Sequence, residues 1–294
     1  MNQVLVLGSA GFSGHHFEKY VHNSNLYREY TFTGIDKNIK KALNSGVFSY
    51  VQADLNNFST LRELLIKFKP YYIINFVGVF SHEVASIKNL NLSFQDIIRL
   101  NVGISEQILK ACIEKLIQPK KILLIGSAAE YGLVTSNPVK ETDELRPNSY
   151  YGLSKVFQTH LTHFYYQNYE LPIVIARPFN LFGEGASDEL SAGRFANIVA
   201  EANDGDIITV GNIDTKRDYV NIKDAVSTYW KLLEKGIPGE IYNVCTGLGK
   251  SGREFLQGII RDSGKNLSIA VDPKLFKERD IPEIFGCPNK ILNL

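Results

Sequence analysis

Cysteine is scarce in this chain, and so are tryptophan, methionine and any surplus of charge. Its 294 residues include three cysteines, one tryptophan and one methionine, and the formal net charge is +1. Cys112, Cys245 and Cys287 are odd in number, widely spaced and without a C-x-x-C pair. That argues against a disulfide frame or a metal site and for reduced thiols in a cytoplasm. A near-neutral balance gives no reason to expect nucleic acid or an anionic membrane as a partner. No apolar run approaches the ~20 residues of a membrane span, and no charged-then-apolar leader precedes the first strand. The expectation is a soluble, cytoplasmic protein. Repeats, low-complexity tracts and Pro/Gly linkers are absent too, so the 44% of hydrophobic residues points to one large α/β domain with a smaller appendage.

What is present is an alternation of short apolar runs with helical patterns. Val4–Leu7 reads as a strand buried on both faces. It meets Gly8-Ser9-Ala10-Gly11-Phe12-Ser13-Gly14, followed by a helical pattern over about His15–Val21. Glycines between a first strand and a first helix let the backbone approach a pyrophosphate at the helix N-terminus. A second strand, Tyr30–Ile35, ends in Asp36, about twenty residues past the last glycine, where a carboxylate reaches adenosine ribose hydroxyls and disfavours a 2′-phosphate. Asp36 favours NADH; the adjacent Lys37 leaves NADPH open. Further strands are expected at Tyr50–Ala53, Tyr72–Val77, Lys121–Ile125 and Ile173–Ala176, with helices over about Phe58–Phe68 and Phe94–Leu116. Asp54, after the third strand, is placed to hydrogen-bond an adenine edge, with Leu55 beside it. This order predicts right-handed βαβ units and a doubly wound parallel sheet, whose ligands bind beyond the carboxyl ends of the strands. Residues 1–172 form the dinucleotide-binding part and 173–294 mainly an interleaved substrate lobe, with segments around 207–240 returning to the first part.

The chemistry centres on Gly126–Lys155. Ser127 ends the fifth strand, and Tyr151 and Lys155 stand four residues apart, on one face of a helix. A nearby ammonium favours the phenolate and pulls a tyrosine below its usual pKa of ~10. Such a phenol exchanges a proton with a sugar oxygen, which Ser127 orients by a hydrogen bond.

Together these motifs resemble the extended short-chain dehydrogenase/reductases acting on nucleotide sugars. The match includes GSAGFSG, Asp36, Asp54, Asn101-Val102, Ser127, Tyr151-x-x-x-Lys155, RPFN at Arg177–Asn180 and RDYV at Arg217–Val220. GNIDTKRDYVNIKDAV, YWKLLEKGIPGEIYNVCTG and VDPKLFKERDIPEIFG look most like the GDP-4-keto-6-deoxy-D-mannose reductases. The resemblance implies a catalytic set of Ser127, Tyr151 and Lys155, with Lys155 also on the nicotinamide ribose. It implies a cofactor cradle of Gly8, Gly11, Phe12, Ser13, Gly14, Asp36, Lys37, Asp54, Leu55, Phe76, Val77, Gly78, Tyr151, Lys155, Arg177 and Pro178. Asn180 and Arg217 would hold the substrate diphosphate, with Lys277 and Arg279 supporting it and His82 near the sugar. Relatives also suggest a homodimer through the Phe94–Leu116 and Tyr150–Tyr169 helices.

Family members of this kind reduce, dehydrate or epimerise. The 4,6-dehydratases carry an acid and a base directly after the catalytic Ser or Thr, and here those positions are Ala128 and Ala129. Losing such help costs ~10²–10⁴-fold per group. Glu130, one residue further on, is the remaining carboxylate in that stretch. No cysteine lies near Ser127 in sequence for a fucose-type epimerase-reductase. The expected activity is NAD(P)H-dependent reduction of the C4 keto group of a 4-keto-6-deoxy hexose or heptose on a nucleoside diphosphate, most plausibly GDP, for deoxysugar and cell-surface polysaccharide precursors. The alternatives are a 4-epimerase that retains its NAD and a non-catalytic dinucleotide-binding scaffold.

Overall fold

The computed structural model describes residues 1–43, 45–79, 93–188, 190–276 and 280–294. Fourteen strands are found among them: β1 (Asn2–Leu7), β2 (Tyr30–Asp36), β3 (Phe48–Gln52), β4 (Tyr72–Asn75), β5 (Lys121–Ile125), β6 (Ile173–Pro178), β7 (Asn180–Phe182), β8 (Ile207–Val210), β9 (Lys216–Arg217), β10 (Tyr219–Asn221), β11 (Ile241–Val244), β12 (Lys250–Ser251), β13 (Ser268–Val271) and β14 (Glu283–Ile284). Seven make one parallel sheet in the order β11-β6-β5-β4-β1-β2-β3.

Alternation along the strands decides how this sheet is covered. Val4, Val6, Ile74, Leu123, Val174 and Tyr242 point to one face, where the helices Phe12–Asn23 and Ile222–Lys235 contribute Phe17, Val21, Val226 and Trp230. Leu5, Leu7, Ile73, Ile122, Leu124 and Ile175 point to the other, against Leu61, Leu65, Ile104, Ile108 and Tyr165. With both faces buried, the strands show near-continuous apolar runs rather than a polar alternation. Strand order reverses between β1 and β4, which opens a crevice at their carboxyl ends, at Gly8 and Phe76–Gly78.

A smaller lobe has its own core of Phe195, Val199, Ile208, Val210, Ile213 and Leu256. After residue 207, the Ile222–Lys235 helix packs on the large sheet and β11 pairs with β6. β8 instead pairs with β13. A further difference lies in the pattern over Phe94–Leu116. It forms two α-helical stretches, Phe94–Ile98 and Ile104–Ile113, separated by a π-helical turn over Arg99–Gly103. Such turns carry one extra residue and often occur at functional sites.

Candidate active site

The glycine turn is built to approach a ligand closely. Gly8 has φ +76°, and a Cβ there would lie 2.9 Å from the Val77 nitrogen. At Gly14 a Cβ would come within 2.4 Å of the Ser9 carbonyl oxygen, so only glycine lets the helix pack on the turn. Gly11 is different: its Cβ position meets only the Gly8 oxygen, at 3.4 Å. Gly11 caps the Phe12–Asn23 helix without a side-chain hydrogen bond, and the first turn holds no acidic residue. The leading N–H groups thus face the crevice uncapped, which fits an anionic pyrophosphate. Phe12 and Ser13 are half-buried there. Asp36 stands at the end of β2, accepting hydrogen bonds from the Ala10 amide (3.2 Å) and the Asn38 amide (3.0 Å). Lys37 and Asp54 are exposed and Leu55 is buried. These residues fit a dinucleotide along the carboxyl ends of β1, β2 and β4.

Ser127, Tyr151 and Lys155 meet at the end of β5. Ser149 caps the Tyr150–Tyr169 helix by accepting from the Gly152 amide. That sets the helix start so that Tyr151 and Ser127 share a hydrogen bond. Ser127 Oγ also accepts from the Ala129 amide at 3.2 Å. Lys155 Nζ donates to the Ile125 carbonyl (2.8 Å) and Gln158 Oε1 (3.1 Å), and lies 6.0 Å from the Tyr151 ring centre. A Cβ on Gly78 would lie 3.5 Å from that ammonium, which ties the β4 loop to the catalytic helix.

One expectation is corrected here. Lys155 does not draw the Tyr151 phenol down in this state. Burial pushes the phenol up to about 12; the Ser127 hydrogen bond opposes the shift and the Glu130 charge adds to it. Burial likewise lowers the Lys155 ammonium to about 8, against the opposing effect of Glu130. Desolvation exceeds the attraction between groups on neighbouring helical turns. A phenol in this condition is an acid at neutral pH.

Two residues that had no assigned role in the sequence, Asn101 and Glu130, support the site. Asn101, fully buried in the π-turn, donates to Ser154 Oγ (2.8 Å) and the Val79 carbonyl (3.2 Å) and accepts from the Val79 amide (2.8 Å). Ser154 in turn donates to the Tyr151 carbonyl at 2.7 Å. The second support is Glu130, fully buried beneath Ser127. Its Oε1 accepts from the Ser127 amide (2.9 Å), and its Oε2 accepts from Thr159 Oγ1 and Arg177 Nη2, both at 2.7 Å. Opposite charges on two otherwise apolar β-strand ends, EYG after β5 and ARP on β6, are the sequence signal for that pair.

Arg177 is therefore turned inward: its side chain has no exposed surface, pairs with Glu130 and lies 4.6 Å from the Tyr131 ring centre. It presents no atom to the cofactor crevice. Pro178 is buried next to it, and Asn180 is half-buried on β7. Arg217 donates to Asp280 Oδ1 and to the Ile281 carbonyl, both at 2.7 Å. His82, Lys277 and Arg279 lie outside the described residues. Among the described residues no group of His, Cys, Asp and Glu could hold a metal, and no helix is long and apolar enough to cross a membrane.

Glycine turn, acidic β2 end and Ser–Tyr–Lys site on a doubly wound sheet together define a short-chain dehydrogenase/reductase. Residues 4–245 match the model of the NAD dependent epimerase/dehydratase family. GDP-6-deoxy-D-talose 4-dehydrogenase of Aggregatibacter actinomycetemcomitans is 24% identical over 293 residues, covering 99% of this chain and 90% of that protein. The NAD complex of Thermus thermophilus UDP-glucose 4-epimerase superposes with a TM-score of 0.83 at 24% identity, over 99% of this chain and 92% of that one. RMD from Pseudomonas aeruginosa complexed with NADPH gives 0.79 at 22%, over 100% and 92%. The chain belongs to the NAD dependent epimerase/dehydratase family, within the extended short-chain dehydrogenase/reductases, and is an NAD(P)-dependent enzyme.

Proposed function

We propose that the protein reduces the C4 keto group of a 4-keto-6-deoxy sugar carried on a nucleoside diphosphate, most simply GDP. The observation that carries this reading is the Tyr151 phenol, bonded to Ser127 and held as an acid by burial. Ser127 orients the C4 oxygen. Tyr151 gives it a proton as negative charge develops there, and Lys155 steadies the nicotinamide ribose. A bound nicotinamide supplies the hydride. Dehydration would need a free carboxylate beside C5 or C6. Ala128 and Ala129 offer none, and all the bonds of Glu130 named above are internal. Asn180 and Arg217 are assigned to the diphosphate, and Asp36 favours NADH over NADPH.

The test is whether purified protein consumes NADH or NADPH in stoichiometric amounts with a GDP-4-keto-6-deoxy hexose. Turnover that leaves the cofactor pool unchanged would identify a 4-epimerase instead.

Two further expectations belong to this reading. Because Lys155 sits near 8 when buried without a ligand, a complex that keeps it charged binds best below that pH. Free protein loses the proton first, so cofactor affinity falls by about tenfold per unit as pH rises past 8. The fluorescence of bound NADH can follow this, and a flat profile would refute the assignment. The second concerns assembly. Tyr150, Phe157 and Phe164, seven residues apart on one helix, are each 40–55% exposed and share a face suited to the same helix of a second copy. Phe157→Asp/Phe164→Asp should sediment as a monomer where the wild type is a dimer.

A further inference from the structure

We propose that Glu130 is a positioning residue of the proton-transfer site, its one buried carboxylate fastening the Ser127 loop, the Tyr151 helix and β6 in fixed register. The inference rests on the reading above that Ser127, Tyr151 and Lys155 perform the proton chemistry.

The geometry is that of a node. One oxygen takes the Ser127 amide and the other takes Thr159, two turns along the helix from Tyr151, together with Arg177 on β6. Gly126 must stay small for this, since a Cβ there would fall 2.5 Å from Glu130 Oε1. A neutral anchor would satisfy the Ser127 amide as well. A charged one also acts across the site, because a charge buried in a low-dielectric interior is felt strongly by its neighbours. The charged and titratable groups around this carboxylate are Arg177 and Tyr131 beneath it, Tyr151, Lys155 and His163 on the long helix, with Tyr229 on the opposite face coupled to Tyr151. Glu130 acts in one direction on both catalytic partners: it favours the protonated phenol and the protonated ammonium. Arg177 holds the carboxylate in place through their ion pair at 2.7 Å.

Glu130→Gln keeps the shape and removes the charge. The expected result is that the pH midpoint of NADH binding, near 8 in the wild type, falls by about one unit, while affinity on the acid side changes less than about threefold. kcat for keto-sugar reduction should fall at least about tenfold with KM little changed. The binding profile needs no sugar, so it speaks to Glu130 even if the enzyme proves to be an epimerase. Glu130→Gln leaves Arg177 buried and unpaired, so Glu130→Gln/Arg177→Met is prepared alongside. It should fold, and its midpoint should move in the same direction by a smaller amount. A wild-type profile without a step, or an unmoved midpoint in both folded variants, overturns the proposal.

Discussion

Tyr151→Phe should lower turnover of a 4-keto sugar nucleotide by about 10²–10⁴-fold while leaving cofactor binding within about threefold of the wild type. The substitution removes one hydroxyl from a half-buried side chain, so neither the helix nor the Lys155 contacts to Ile125 and Gln158 should change. What is lost is the only described acid bonded to Ser127 at the place where the alkoxide forms. The loss should lower the rate at every pH without changing the shape of the profile across the neutral range. A phenol held up to about 12 by burial stays protonated throughout the neutral range, so wild-type reduction should show no alkaline decline attributable to Tyr151 until the phenol is perturbed. Steady-state rates with NADH at several pH values would check both points. A variant retaining a third of wild-type kcat would end the proposed chemistry.

Arg177→Met should destabilise the fold by about 3–5 kcal/mol, because it leaves Glu130 buried without its counter-ion. For a chain of this size that is a drop of about 10 °C in melting temperature, readable by calorimetry. The intact pair is not itself a large source of stability. Both side chains are fully buried, and Arg177 Nε and Nη1 have no hydrogen-bond partner among the described residues, so desolvation offsets much of the attraction. Hence the combined Glu130→Leu/Arg177→Met variant should recover most of the lost stability and little of the activity. A single variant that melts within about 2 °C of the wild type would show that the pair is not structurally required.

The sheet was legible because its period is simple. Continuous apolar runs such as Val4–Leu7 and Ile173–Ala176 need burial on both sides, and they lie within β1 and β6. The strand ends were less so, since β3 takes in Phe48 and β4 stops at Asn75, after which the Phe76 ring packs against Phe17 and Tyr229. Spacing also brought Tyr151, Lys155 and Ser127 to one place, but spacing carries no information about solvent. Neighbouring charge and burial act in opposite directions on the phenol, and which is larger depends on how the folded chain encloses it. Arg177 illustrates the same limit: an arginine next to a proline at a strand end looks available for a phosphate, until Glu130 is found beneath it.

The π-turn at Arg99–Gly103 has one more consequence. An α-helix advances about 100° per residue, so the added residue rotates the first part of this segment relative to the second and brings Asn101 round to face Val79 and Ser154. Removing any single residue between 99 and 103 would restore ordinary winding and swing that amide out of reach. The floor beside Gly78 and the backbone under Tyr151 would then be held apart by nothing more specific than packing. Within this stretch of helix, residue count governs the distance between the two halves of the active site, and substitutions there should be tolerated far better than deletions.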